Sequence, residues 1–178
     1  MTAALPHRCI PSQKGSSSMS AGPQIVFVRF LTSHSPKLEP WVAHTGRVVG
    51  VASRSKNSRD STEGIVVWQL VSANNRQLAR SIEVHDTFED ARASVTEVVA
   101  AGKELTVEMV SESGRGVYGW YASLNGKPVA TCARWYVTDR DRRHSIELAM
   151  RSISLATLHP GARLADPALM TGDRDHVL

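Results

Sequence analysis

"LARSIEVHDTFEDARASVTEVV", residues 78–99, returns in outline at residues 129–150 as "VATCARWYVTDRDRRHSIELAM". At a shift of 51 residues Ala79 meets Ala130, Thr87 meets Thr138, Asp90 meets Asp141, Arg92 meets Arg143 and Ser94 meets Ser145. Five identities in 22 positions exceed the roughly one or two that chance gives at ordinary composition. In each copy a threonine stands three residues before an aspartate, ahead of an apolar period, and predicts a capped helix. The first helix would bury Ala91, Val95, Val98 and Val99, with Gly102 as its stop. The second, drawn from residues 139 to 158, would bury Ile146, Ala149, Met150 and Ile153. The repeated residues are those that turn the last strand of a hairpin into a capped helix.

Upstream of each helix the hairpin itself is legible. "IVVWQLVSA" (65–73) reads as a strand, "NNR" as a tight turn because Asn tolerates positive φ, and "QLARSIEVH" (77–85) as the return. In the second copy "ELTVEMVSE" (104–112) and "VYGWYASL" (117–124) are strands. "NG" is the strongest short hairpin signal, and "KPVATCARWYV" (127–137) returns. Trp68 and Trp120 each lie in the strand before the Asn-containing turn. They are the expected core anchors, with exposed ligand-stacking aromatics as the rival reading. A sheet unit with one helix leaves apolar surface uncovered, and two copies cover it for one another.

Further out the pattern weakens. "QIVFVRFL" (24–31) is strand-like and is closed by the breakers "TSHSPKLEP", while "WVAHTGRVVGVAS" (41–53) is rich in β-branched residues with a turn at "TGR". The expected organisation is a flexible leader over 1–23 and an N-terminal extension with one strand over 24–45. Repeat units follow over 46–103 and 104–158, then a flexible tail over 159–178. Residues 54–64 are a polar loop, and Met19 is the expected start of the chain, since nothing before it has the pattern of a folded segment.

The fold class that follows is α+β: two tandem β-β-β-α units sharing one mostly antiparallel curved sheet, with a helix from each unit packed on it. The 178 residues suit one compact body. No apolar run approaches the roughly 20 residues of a membrane helix, and the first 22 residues lack the apolar core of a secretory signal, so the expected location is cytoplasmic. Cys9 and Cys132 form neither a disulfide framework nor a metal knuckle, and Cys132 reads as a small core residue. Sixteen of the 21 basic residues are Arg, an excess that a GC-rich coding bias also produces.

The strings "WYASLNGKPVATCARWYVTDRDRRHSI" and "WQLVSANNRQLARSIEVHDTFEDARASV" resemble the repeat of the YegP-like family of small uncharacterised bacterial proteins. The resemblance covers about residues 46–156. It implies several strands and one helix per unit, two units in one curved sheet, and no known activity to carry over. The chain departs from that pattern in its N-terminal extension, its loop at 54–64 and its tail.

Candidate chemistry is sparse. "GRGVYG" (114–119) fits a dinucleotide-binding glycine pattern literally, yet it leads into a strand where that site needs a helix N-terminus. "AGKELT" lacks the glycine and hydroxyl residue of a phosphate loop, no G-x-S-x-G elbow occurs, and the seven histidines show no metal-ligand spacing. His85 and Tyr136 hold matched positions, which argues for shared packing. The densest charge is in "RWYVTDRDRRH". Arg134, Arg140, Arg142, Arg143 and Arg151 are the candidate phosphate or nucleic-acid contacts, offset by Asp139, Asp141 and Glu147. Trp68, Trp120, Thr87, Thr138, Asp90 and Asp141 are the structural anchors of the repeat. The leading expectation is a non-enzymatic binding or self-association module without a cofactor, its partner a protein or a second copy. Weak RNA or DNA binding by the Arg-rich second helix comes next. A small-molecule enzyme without a recognisable motif comes third.

Overall fold

A computed structural model describes residues 22–50 and 64–165. Met19, Cys9, most of the expected leader and polar loop, and the end of the expected tail lie outside the described residues. The chain runs β1 (Gln24–Phe30), α1 (Glu39–Val49), β2 (Ile65–Val71), β3 (Gln77–Ser81), α2 (Phe88–Ala100), β4 (Thr106–Glu112), β5 (Val117–Leu124), β6 (Lys127–Cys132), α3 (Asp139–Ile153) and β7 (Thr157–Leu164).

The two hairpin turns form where asparagine supplies positive φ, at Asn75 (63°) and at Asn125 (51°), the latter followed by Gly126 (76°). Thr87 and Thr138 cap α2 and α3 by accepting the backbone N–H of Asp90 and Asp141 at 3.0 and 3.1 Å. The fold is thus α+β, with an open, mostly antiparallel sheet of seven strands among the described residues, in the order β4-β5-β6-β3-β2-β1-β7. Its one parallel pairing joins β1 to β7.

Side chains alternate between the two faces of a strand. On β2, Val66, Trp68 and Leu70 pack with Ala91, Val95 and Val98 of α2 and with Ala149 and Ile153 of α3. Ile65 and Val67 pack instead with Leu38 and Trp41 at the α1 end. Covered on both faces, β2 reads as the nearly unbroken apolar run IVVWQLV.

The central pair β3–β6 sets Ala79 opposite Cys132 and Ser81 opposite Ala130. Matched bridges join Val66 to His85 and Tyr118 to Tyr136. Matched bonds run from the Trp68 N–H to Ser81 Oγ (3.2 Å) and from the Trp120 N–H to Cys132 Sγ (3.5 Å).

Three expectations are corrected. Residues 41–53 read as rich in β-branched residues with a turn at "TGR", but 39–49 form α1, with Pro40 in its first turn and Gly50 closing it at φ 72°. Trp41, Thr45 and Val48 share its buried face, and the Thr45 hydroxyl donates to the Trp41 carbonyl at 3.1 Å. The second repeat helix stops at Ile153, short of 158, and the expected tail opens as β7, which pairs with β1 despite Pro160 and Gly161. An edge strand tolerates a proline because one row of its N–H groups needs no partner. The strand expected in the extension over 24–45 is β1, hydrogen-bonded on both sides.

The glycine pattern at 114–119 has a structural cause. Gly116 takes φ 61° in the turn before β5, and a Cβ on Gly119 would come within 2.9 Å of the Trp135 ring.

Candidate ligand-binding cleft

The five candidate arginines do not form one phosphate surface. Arg142, one of these candidate phosphate contacts, is buried. Its guanidinium donates to the Val110 carbonyl at 3.0 Å and to Asp139, and lies 5.2 Å from the Tyr118 ring centre. The inward face of α3 is Arg142, Ser145, Ala149, Ser152 and Ile153, rotated from the expected stripe because Trp120 and Tyr118 below it offer polar contacts that Ile146 and Met150 could not make. Arg143 pairs with Asp139 at 2.8 Å and Arg151 with Glu147 at 2.9 Å. The exposed Arg134 lies over the Tyr136 ring at 5.6 Å, and Arg140 is exposed on the first turn of α3.

The tryptophan anchors bring together more than packing. Both are fully buried. The Trp120 indole N–H donates to Ser145 Oγ at 2.9 Å, and Ser145 Oγ in turn shares a hydrogen bond with the Tyr136 hydroxyl. All three polar groups of this trio are satisfied, as buried groups should be.

In the other half the corresponding residues are Trp68, Ser94 and His85. Here the trio stays open. Trp68 Nε1 and His85 Nε2 are buried without a hydrogen-bond partner among the described residues. Trp68, His85 and Ser94 line a cleft of about 190 Å³ between α2 and the tip of the β5–β6 hairpin, together with Glu83, Glu97, Val98, Leu124, Asn125, Lys127 and Val129. At its rim Lys127 pairs with Glu83 at 2.6 Å, and Glu97 is exposed.

A second cleft of about 170 Å³ occupies the matched position beside α3. Glu83, His85, Ser94 and Glu97 fall 51 residues before its Arg134, Tyr136, Ser145 and Leu148. Lys127 and Val129 fall 51 residues after its Arg76 and Leu78. The charged linings are of opposite balance, Glu83, Glu97 and Lys127 in the first and Arg76, Arg134 and Asp141 in the second.

Burial pushes His85 below the ordinary histidine range, against the pull of Glu83 and Asp90, so its imidazole is neutral at neutral pH. A neutral imidazole has one donor and one acceptor nitrogen, an indole only a donor. The residues lining the cleft therefore carry an indole N–H, a ring nitrogen of either sense and a hydroxyl. Since His85 Nε2 has no described partner, Ser94 is not held by it as an activated nucleophile would be. The signal for the site in the sequence is the identity of Ser94 with Ser145 beside the exchange of Tyr136 for His85.

A third polar cluster lies under α1. His44 Nε2 donates to the Cys132 carbonyl at 2.8 Å, and burial, with Arg80 second, lowers its pKa to about 4. Burial raises the Cys132 thiol, which stays protonated and unreactive. Arg80 donates to the Ala133 carbonyl and lies over the Trp41 ring at 4.8 Å. These contacts dock α1. Among the described residues no group of three or more His, Cys, Asp or Glu is placed to hold a metal ion, and no helix is long and apolar enough to cross a membrane.

No family model matches the chain, and no curated protein matches it. Among solved structures, the solution structure of a protein of unknown function, yegP from E. coli, is similar at 10% identity. The match covers 80% of this chain and 96% of that chain, with a TM-score of 0.47. It bears the name of the family that residues 46–156 resemble.

Proposed function

We propose that the chain is a non-enzymatic binding module made of two equivalent units that share one sheet, and that the cleft beside Trp68 is its binding site. The units are β1-β2-β3-α2 and β4-β5-β6-α3, with α1 inserted in the first and β7 added after the second. Support for their equivalence comes from the β3–β6 register, which maps onto itself at a shift of 51, and from the matched caps, bridges and tryptophan bonds. One observation carries the binding reading. Trp68 Nε1 and His85 Nε2 stay unpartnered in a cleft where the other unit closes the same trio. Leaving a buried donor unpaired costs about 1–3 kcal/mol, a cost that an occupant supplying an acceptor removes.

Nucleic-acid binding by α3 ranks behind this, because Arg142, Arg143 and Arg151 are engaged within the chain. Self-association is the second reading. It is favoured by β4, an edge strand of the described sheet with Met109 half exposed, and opposed by the exposed Glu108 beside it.

A set of small polar compounds of each charge type, screened by thermal unfolding, tests the leading reading. A ligand at about tenfold over its Kd adds about 1.4 kcal/mol, a shift of a few degrees in a chain of this size. Stabilisation of the wild type and its loss in the cleft-filling variant Ser94→Leu are expected. Equal shifts in both proteins, or none in either, would contradict the reading.

A further inference from the structure

The chemical class of the occupant follows from the cleft's walls, and this step rests on the binding reading above. At the inner wall Trp68 Nε1 can only donate, so an occupant must bring an acceptor to it. At the rim two carboxylates meet one ammonium. Lys127 is paired with Glu83, and the exposed Glu97 has no partner among the described residues, which leaves one negative charge facing the opening.

That charge is particular to this cleft. The matched cleft beside α3 has Leu148 in place of Glu97 and Arg134 in place of Glu83, with Arg76 across from them. The repeated scaffold therefore does not require an acidic rim here. Size narrows the class further. A cavity of roughly 150 Å³ holds benzene, so about 190 Å³ accommodates a molecule only slightly larger.

We infer that the cleft binds a small primary amine carrying a carbonyl-type acceptor, the acceptor on the Trp68 indole N–H and the ammonium toward the Glu97 carboxylate. Two anchors at opposite ends of so small a space select for both groups in one molecule. Either group alone leaves the other end unsatisfied.

The full chain labelled with ¹⁵N, titrated while the indole signals are followed by NMR, tests this. Four probes of similar size separate the contributions: β-alaninamide with both groups, propionamide without the ammonium, propylamine without the carbonyl, and succinamate with a carboxylate in place of the ammonium. β-Alaninamide is expected to move the Trp68 indole signal saturably and to bind at least about tenfold more tightly than the other three, the factor one charge-assisted hydrogen bond supplies. Glu97→Gln, on the exposed face of α2, is expected to weaken β-alaninamide by a similar factor and leave the Trp120 indole signal in place. Succinamate binding as well as β-alaninamide, or an unchanged affinity in Glu97→Gln, would overturn the amine assignment while the cleft remained a binding site. If none of the four probes moves the Trp68 signal, the cleft holds water only and the binding reading falls with the amine.

Discussion

Trp68 and Trp120 hold matched places and differ in one hydrogen bond, and that difference is measurable. Replacing either by Ala removes a fully buried indole and is expected to cost about 3–5 kcal/mol in chemical unfolding. Replacement by Phe separates them. Trp120→Phe leaves Ser145 without its indole donor and should cost about 1 kcal/mol more than Trp68→Phe, whose N–H has no described partner to lose. Equal costs would mean that the Trp68 N–H is satisfied in solution. His44 provides a second test at this scale. Its folded pKa, about 4, lies below the ordinary 6.5. The unfolded chain thus takes up a proton as the pH falls through 6.5, while the folded form resists until about 4. The stability is complete above 6.5 and drains away between there and 4. Discounted for partial exposure, about 1–2 kcal/mol is at stake. The melting temperature should fall between pH 7 and pH 5, and His44→Gln, which keeps a donor for the Cys132 carbonyl, should flatten that fall.

Among the elements, α3 shows how a helix face is chosen by what lies beneath it. Arg142 is held by the Val110 carbonyl, Asp139 and the Tyr118 ring, so Arg142→Ala is expected to cost about 2 kcal/mol, while Arg143→Ala, on the exposed side, changes little. Thr87→Ala and Thr138→Ala should each cost about 1 kcal/mol, as lost caps do. Equilibrium unfolding in urea reads all four. Strands β2 to β6 and helices α2 and α3 were legible because their signals are local: Asn turns, threonine caps and short apolar runs. The helix α1 was hidden by Val, Thr and Gly46, although Pro40, the spacing of Trp41, Thr45 and Val48, and Gly50 together mark it. Strand β7 was hidden by Pro160 and Gly161, since its pairing with β1 joins residues more than a hundred positions apart, beyond any local pattern. The arginine reading failed at Arg142 for a related reason. Spacing assigns a residue to a helix face, but the partners Val110 and Tyr118 come from other strands.

On the proposed reading of two equivalent units, the molecule repeats a scaffold and varies its centre. The sheet order places β4-β5-β6 and β3-β2-β1 on either side of the β3–β6 pairing, so each unit's Trp, Ser and His or Tyr residues meet beneath its own helix. In one unit Trp120, Ser145 and Tyr136 close on themselves. In the other, exchanging Tyr for His at residue 85 leaves two nitrogens unpartnered above an open cleft. The identity of Ser94 with Ser145 was visible in the sequence, but not that one serine is engaged and the other faces a cleft, since that depends on the ring opposite each. Deuterium exchange of the indole N–H groups, resolved by NMR, tests this account most directly. It predicts that the Trp68 N–H, reached through the cleft, exchanges well before the Trp120 N–H, which is held by Ser145. Exchange at Trp68 as slow as at Trp120 would mean a cleft closed to solvent and solute alike, and would contradict the account.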